Sequence, residues 1–454
     1  MSAARRPTLL GAAALLLAAT QLGLAYYTPR PHTAQLLALF GLGTLAYAAL
    51  LHYRLPLRAG LLLALLLRLL WLPATPALSD DYHRFRWDGA QVAAGQSPFL
   101  HRPDEYQAGG GTLTGPPQLT PQLYQHLNSP RYYSVYPPVC QALFGLAMRL
   151  FPASELAQII VLRLALLLAE AATALLLVRL LRRFGQPPER AFLYLLHPLV
   201  LTELVGNLHF EAVVIAGVLG ALWLLTRGQL LWAAGALAVG VAAKLTPLLA
   251  LPLLLRRLGW RRTVLFGLTL GVVLAASFAP FASAALLRNI GRSLDLYFHS
   301  FEFNASVYYL LRAIGYQLTG YNEIARLGTG LAATAALGVL LLAALESLPT
   351  LATLPRAALL AFTLYYLLAT TVHPWYLTPL VALSCFTGWR YPAAWAALAT
   401  LSYATYRTAA YHENLALVAL EYLGVLLMAL GDWRRRVATT PVEPAAPISP
   451  GRAD

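Results

Sequence analysis

The chain has 454 residues, of which 59% are hydrophobic and only 11% are Asp, Glu, Lys or Arg, with a mean hydropathy of +0.61. Soluble domains carry about a quarter charged residues, so a water-soluble enzyme is excluded and a polytopic membrane protein is indicated. The net charge of +14 reads as topology rather than nucleic-acid binding, because basic residues of membrane proteins gather at cytoplasmic helix ends.

Arg5 and Arg6 precede an apolar run over 7–27 that is longer than a signal-peptide core, so a helix is expected there with its N-terminus in the cytoplasm. Runs over 33–53 and 58–73 complete an N-terminal helical unit, residues 1–73. Residues 74–156 hold Pro, Gly, Tyr and most of the clustered acids, and by this count they face outside. Within them, 137–151 is short for a span. If it crossed, Arg179, Arg182, Arg183 and Arg190 would fall outside, so it is expected to lie on the outer face as an interfacial segment.

The bundle 157–436 then reads as crossings over 157–181, 190–204, 211–226, 230–243, 246–255, 263–282, 327–345, 357–371, 375–388, 391–409 and 414–431, with a second outer loop at 283–325. Eighteen of the 33 basic residues fall at predicted cytoplasmic ends, which supports this parity. The expectation is an all-α fold of about 12–14 transmembrane helices with both termini cytoplasmic. The tail 437–454, rich in Pro and Ala, is expected to be disordered. There is no clear internal repeat, which weakens a transporter built on inverted repeats. Cys140 and Cys385 lie in apolar segments without the spacing of a disulfide framework or metal knuckle.

The chemistry gathers in the outer loops. Residues 79–99 suit a short amphipathic helix capped by Ser79 and ended by Gly95. On it Asp81, Arg84 and Asp88 share one face, and the helix dipole favours ionised Asp80 and Asp81. An isolated Asp-Asp is more often a solvated helix start. The outer face, however, also collects Glu203, Asn207, His209 and Glu211, then Lys244 before Thr246-Pro247, then His373-Pro374-Trp375-Tyr376. Lys244 is the chain's only lysine, and ionisable groups at such positions are functional candidates, with snorkelling the bland alternative. Arg68 reads as snorkelling or a helix contact, and Arg163 with Glu170 as a structural pair. Asp295, Glu302 and Asn304 either contact an acceptor or form a solvated loop. Cations at a helix break suit a lipid-linked phosphate, aromatic rings suit a sugar face, and a carboxylate can take a proton from an attacking hydroxyl.

Leu78-Ser-Asp-Asp-Tyr-His-Arg-Phe-Arg-Trp-Asp-Gly89, Gly95-Gln-Ser-Pro-Phe99 and Asn128-Ser-Pro-Arg-Tyr-Tyr-Ser-Val-Tyr136-Pro-Pro138 resemble the first outer loop of the GT-C membrane glycosyltransferases. Asn207-Leu-His-Phe-Glu211, Lys244-Leu-Thr-Pro247 and His373-Pro-Trp-Tyr376 are similar to the later motifs of the polyprenol-phosphate-mannose-dependent mannosyltransferases. That group includes the catalytic subunit of GPI mannosyltransferase I and its bacterial relatives. The resemblance covers roughly residues 60–410 and implies a GT-C-like fold with interfacial helices in the first loop. It implies Asp81 as general base with Asp80 as the alternative, and Arg84 and Lys244 toward the donor phosphate. It also implies Asp88, Tyr136, Asn207, His209, Glu211, His373, Trp375 and Tyr376 around donor or acceptor. Asp80-Asp81 stands where the family carries Asp-x-Asp, so the need for a divalent ion, Mg or Mn, stays open, and no metal ligands are assigned.

The expected activity is transfer of a hexose, mannose by the resemblance, from a polyprenyl-phosphate donor to a hydroxyl of a glycolipid, glycan or protein acceptor. It would invert the anomeric centre, on the extracytoplasmic face of a bacterial inner membrane. The alternatives are a transporter or flippase of a lipid-linked or anionic substrate, and a surface-polysaccharide polymerase or ligase.

Overall fold

The computed structural model of the protein describes residues 5–107, 113–408 and 411–439. Apolar chain in a bilayer must satisfy its own backbone N–H and C=O groups, which leaves helices or closed barrels. This chain takes helices throughout; the described residues add only two isolated bridges, Gln107 with Leu113 and Phe303 with Thr371. Among the described residues, six helices are each long and apolar enough to cross a membrane: Arg6–Tyr26, Thr33–His52, Glu155–Arg183, Trp260–Phe281, Ile324–Leu345 and Leu415–Arg435. The pair Pro198–Gly206 and Glu211–Thr226 is long and apolar enough only when the two are taken together, and it is bent by 109° at the break. This is a multi-pass membrane fold.

The other expected crossings are shorter or broken, and proline explains where. Proline removes an N–H donor and disfavours continued α-helix. Residues 190–204 are divided among Pro188–Ala191, Phe192–Leu195, Pro198–Val200 and the π-helical Leu201–Gly206. The 246–255 segment is the 3₁₀ stretch Thr246–Leu254, with Pro252 inside it. The 375–388 segment is Pro374–Leu377 followed by Thr378–Ser384. The last helix runs on to Thr439, so the expected disordered tail lies outside the described residues from 440 onward.

The 74–156 segment is built on two helices. Asp81–Ala93 ends as its sequence predicts: Gly95 takes φ 76°, and its N–H and that of Gln96 return to the carbonyls of Val92 and Gln91 at 3.1 and 2.8 Å. Pro138–Leu150 packs directly against it. The contact depends on Gly89, where a Cβ would lie 2.5 Å from the Phe144 carbonyl oxygen, while Phe85 stacks on Phe144 at 4.5 Å. The buried Arg84–Asp88 pair (2.7 Å) then holds the rest of the loop. Arg84 donates to the carbonyls of Ser129 and Tyr132 at 3.1 and 3.0 Å, and Asp88 accepts from Ser134 and Gln141 at 2.5 and 3.0 Å.

The membrane-buried charges find partners other than those expected. Glu170 pairs with Arg68 (2.7 Å) and accepts from Tyr194 at 2.5 Å, so Arg68 makes the helix contact. Arg163 does not pair with Glu170. Its guanidinium donates to four carbonyls, of Leu72, Ala74, Val205 and Gly206, at 2.6–2.8 Å, tying the chain after the Leu57–Leu70 helix to the bend before Glu211. Arg163 and Glu170 are seven apart on one helix, and neighbouring segments offer each side chain a closer partner than the other.

Candidate active site

Asp81 opens its helix after Ser79, whose hydroxyl accepts from the Asp81 N–H at 3.3 Å. Its carboxylate, 23% exposed, accepts a hydrogen bond from Asn128 at 2.8 Å and lies 3.9 Å from His209 Nε2. Asn128 arrives there because Arg84 and Asp88 stitch residues 129–134 onto the helix. Asp80 points elsewhere: at 40% exposure it pairs with Arg30 at 2.8 Å. The two adjacent acids, inseparable in the sequence, thus have distinct surroundings.

His209 sits at the 109° bend. Leu208 beside it has φ 64°, a left-handed conformation that costs a branched residue about 1–3 kcal/mol and concentrates at functional sites. That turn sends the His209 ring back over the preceding π-helical turn, where its Nδ1 meets the Glu203 backbone carbonyl at 3.2 Å and lies 2.8 Å from Glu203 Oε2. Glu203 is fully buried and also accepts from Asn207 (3.0 Å) and Tyr403. Asn207 in turn accepts from the Leu78 N–H at 3.2 Å, fixing the chain just before Asp80. With Nδ1 engaged by Glu203, His209 turns Nε2 toward Asp81, and that buried nitrogen makes no hydrogen bond.

A column of rings closes the other side. Trp375 stacks on His209 (centroids 3.9 Å, planes 9° apart) and on His373 (4.4 Å, 3°), and His373 stacks on Phe303 at 4.6 Å. The ring of His373, shielded from water and facing Lys244 and His209, has its pKa pushed down to about 3, mainly by burial. Lys244 pairs with Glu211, and its ammonium stands 3.5 Å above the centre of the Tyr376 ring. Glu211 opens the Glu211–Thr226 helix, where the dipole favours its charge.

Four motifs far apart in the chain therefore meet: Asp81, then Asn207 with His209, then Glu211 with Lys244, then His373-Pro-Trp-Tyr376. Three of the expected residues, Arg84, Asp88 and Tyr136, are engaged in holding the loop and its helices together. Arg84 and Asp88 bond each other and the loop, although Arg84 Nη2 is buried without a hydrogen bond. Tyr136 packs edge-on against Phe85 and Phe144. In the 283–325 segment, Glu302 pairs with Arg312 and accepts from Tyr308 at 2.6 Å, and Asn304 bonds Glu413 and Glu421 at 2.6 and 3.2 Å.

The sequence alone assigns no role to Arg30 or Phe303, carries Asn128 only as the start of a motif, and shows Glu203 only as one of a cluster. Arg30 carried a signal: it is a basic residue, between two prolines, on the side where the positive-inside pattern expects none. Among the described residues no three His, Cys, Asp or Glu side chains converge to hold a metal ion, and the carboxylates of Asp80 and Asp81 are engaged by Arg30 and Asn128.

No curated protein matches the chain. A family model described as alpha-(1->6)-mannopyranosyltransferase, N-terminal domain, matches residues 3–258. That stretch carries Asp80, Asp81, Asn128, Glu203, His209, Glu211 and Lys244, while the aromatic motif at 373–376 comes from the remainder. Since the match spans more than half of its length, this multi-pass membrane protein belongs to the alpha-(1->6)-mannopyranosyltransferase family and is a glycosyltransferase that handles mannose.

Proposed function

We propose that the protein transfers mannose from a polyprenyl-phosphate donor to a hydroxyl of a glycolipid, glycan or protein acceptor. The reaction takes place at the extracytoplasmic face of a bacterial inner membrane, in a GT-C-like arrangement with the first outer loop along the membrane surface. The observation that carries this reading is the convergence of Asp81 and His209, beside a column of aromatic rings and the chain's one lysine. The family's name describes an α-(1→6) product. Made with inversion, such a product requires a β-configured donor and a primary 6-hydroxyl as nucleophile.

In the transfer the acceptor oxygen bonds to C1 of the mannose as the C1–O bond to the lipid phosphate breaks. Asp81 takes the hydroxyl proton, and the bonding pair leaves on the phosphate oxygen. Negative charge grows on that phosphate, so a preorganised cation nearby stabilises the transition state more than the ground state. Lys244 serves this role, exchanging Glu211 for phosphate, and Arg30 is the second cation in reach of the acids. Arg84 acts at one remove by holding Asn128 against Asp81. Trp375 and Tyr376 offer flat apolar faces for the pyranose ring. Asp81 is preferred over Asp80 as base because it is the less exposed, lacks a paired arginine and faces His209.

The test uses membranes containing the full chain and a lipid-linked mannose donor. Asp81→Asn should lower the transfer rate by at least 10²–10⁴-fold, the contribution of a positioned general base, with the protein still inserted. Retained activity in Asp81→Asn with loss in Asp80→Asn moves the base by one residue. Retained activity in the double variant, or radiolabel displaced across the membrane without a new glycoconjugate, sinks the reading.

A further inference from the structure

Several unusual features of the fold converge on one atom, Nε2 of His209. The left-handed Leu208 and the π-helical turn Leu201–Gly206 are both arrangements that concentrate at functional sites, and together they set the ring over Glu203. Trp375 stacks on the ring with centroids 3.9 Å apart and fixes its plane. The side chain is buried, and Nε2 makes no hydrogen bond.

The contacts of Nδ1 decide which nitrogen carries the proton. Nδ1 meets the Glu203 backbone carbonyl at 3.2 Å, and a carbonyl only accepts, so Nδ1 is the protonated nitrogen of the neutral ring. Nε2 then presents a bare lone pair. It faces Asp81 Oδ2 at 3.9 Å, and an ionised carboxylate is also acceptor-only. Two acceptors facing each other are satisfied by a proton placed between them. The gap shortens to a hydrogen bond with a shift of about 1 Å, and catalytic contacts are often long before substrate binds.

The two groups hold a proton unequally. An ordinary carboxylate has a pKa of about 3.9 and an imidazole about 6.5, so a proton is favoured on the ring on the order of 10²-fold. The surroundings suit an imidazolium. Glu203, Glu211 and Asp81 bring negative charge to the ring, and the Trp375 face receives a cation. Of the other groups nearby, Lys244 is paired with Glu211, Tyr403 donates to Glu203, and His373 lies beyond Trp375 in the column and is neutral near pH 7.

We infer that His209 is a second catalytic residue, the resting place of the proton that Asp81 removes from the acceptor hydroxyl. The inference rests on the mannosyl transfer proposed above. The hydroxyl O–H bond breaks as Asp81 Oδ2 takes the proton, and the freed electron pair forms the bond to C1. The Oδ2–H bond then breaks as the proton moves to the Nε2 lone pair. Asp81 is ionised again, and after product release the imidazolium returns the proton to water through Asp81, which is partly exposed. Glu203 holds the ring and is a positioning residue.

The experiment assays membranes containing the full chain and a lipid-linked mannose donor between about pH 4.5 and 8.5, for the wild type, His209→Gln and His209→Asn. Asn keeps a donor for the Glu203 carbonyl and loses the Nε2 position, while Gln keeps a polar atom there that does not titrate. Wild-type kcat should fall as pH drops through the imidazole range, about 6–7. Both variants should show kcat lower by about 10²-fold at neutral pH, with KM for the acceptor unchanged. Their remaining activity should hold down to about pH 5, above the carboxylate range. A wild type that transfers with a flat profile across that range overturns the relay without any variant. Variants that lose rate but keep the wild-type acid limb overturn it too, since that is the pattern of a structural ring. So does an alkaline limb that vanishes in the variants, the pattern of a fixed cation. No new glycoconjugate from the wild type at any pH overturns the transfer reading and the relay with it, a failure distinct from transfer with a flat profile.

Discussion

Single side chains divide the labour at the proposed centre more finely than their types indicate. Asp80 and Asp81 are neighbours in the chain, yet one is neutralised by Arg30 and the other faces a histidine aligned by a buried glutamate. Glu203→Gln keeps the size of the side chain and removes the charge that fixes the His209 ring. It should lower kcat by up to about 10²-fold, the cost of a small misplacement of a reacting group. It should also move the pH–rate profile, which a purely structural role would not; an unchanged profile refutes the alignment. His373 gives a second pH effect, on stability. Its folded-state pKa near 3 is below the ordinary 6.5, so the unfolded chain binds the proton first as pH falls. Its contribution is complete above pH 6.5 and is lost progressively down to about 3, at up to about 1.4 kcal/mol per pH unit. Thermal unfolding at pH 7.5 and 5 should therefore show a smaller difference in His373→Phe than in the wild type.

Elements were legible where composition is uniform and illegible where proline intervenes. The N-terminal helices, the Asp81–Ala93 helix with its Gly95 stop, and Pro138–Leu150 match their expected bounds closely, because each is a continuous run with its own end signals. The segments 190–204, 246–255, 375–388 and 391–409 are apolar enough to be counted as crossings, but Pro188, Pro198, Pro247, Pro252, Pro374, Pro379 and Pro392 border or break them. Hydropathy measures how apolar a segment is and carries no information about its path. For the same reason the motifs at 207–211, 244–247 and 373–376 could be found one by one, whereas the Glu203–His209 contact needs the left-handed turn at Leu208, and Arg30 on Asp80 needs two loops to meet. The mannosyltransferase level of the resemblance stands with the family match; the narrower branch does not follow from it. Buried charge between elements is testable on its own. Glu170→Ala strands Arg68 inside the bundle and should cost about 3–5 kcal/mol, read as a fall in thermal stability. Arg68→Met with Glu170→Leu should recover much of that loss, since a matched apolar pair leaves no charge unpaired.

At the scale of the whole molecule, the membrane sorts the chain into two chemistries. In the expected topology Arg54, Arg179, Arg182, Arg183, Arg227 and Arg256 fall at cytoplasmic helix ends, and Asp80, Asp81, Glu203, Glu211, the 373–376 rings and Lys244 belong to segments assigned to the other side. The proposed orientation can be read directly by cysteine labelling, because both native cysteines are buried. A cysteine at exposed Gln96 should react with an impermeant thiol reagent added to intact cells, and one at exposed Arg227 only after the membrane is opened. The reverse pattern would invert the topology and place the proposed centre on the cytoplasmic side.

Lys244 has a further consequence. In a chain with a single lysine, no other side chain presents a primary amine. Acylating chemistry that elsewhere scatters over a protein's surface is here directed, among side chains, to one atom, and that atom stands over Tyr376 beside Glu211. The composition that keeps the chain in the bilayer has thus left the proposed donor pocket with a unique chemical address.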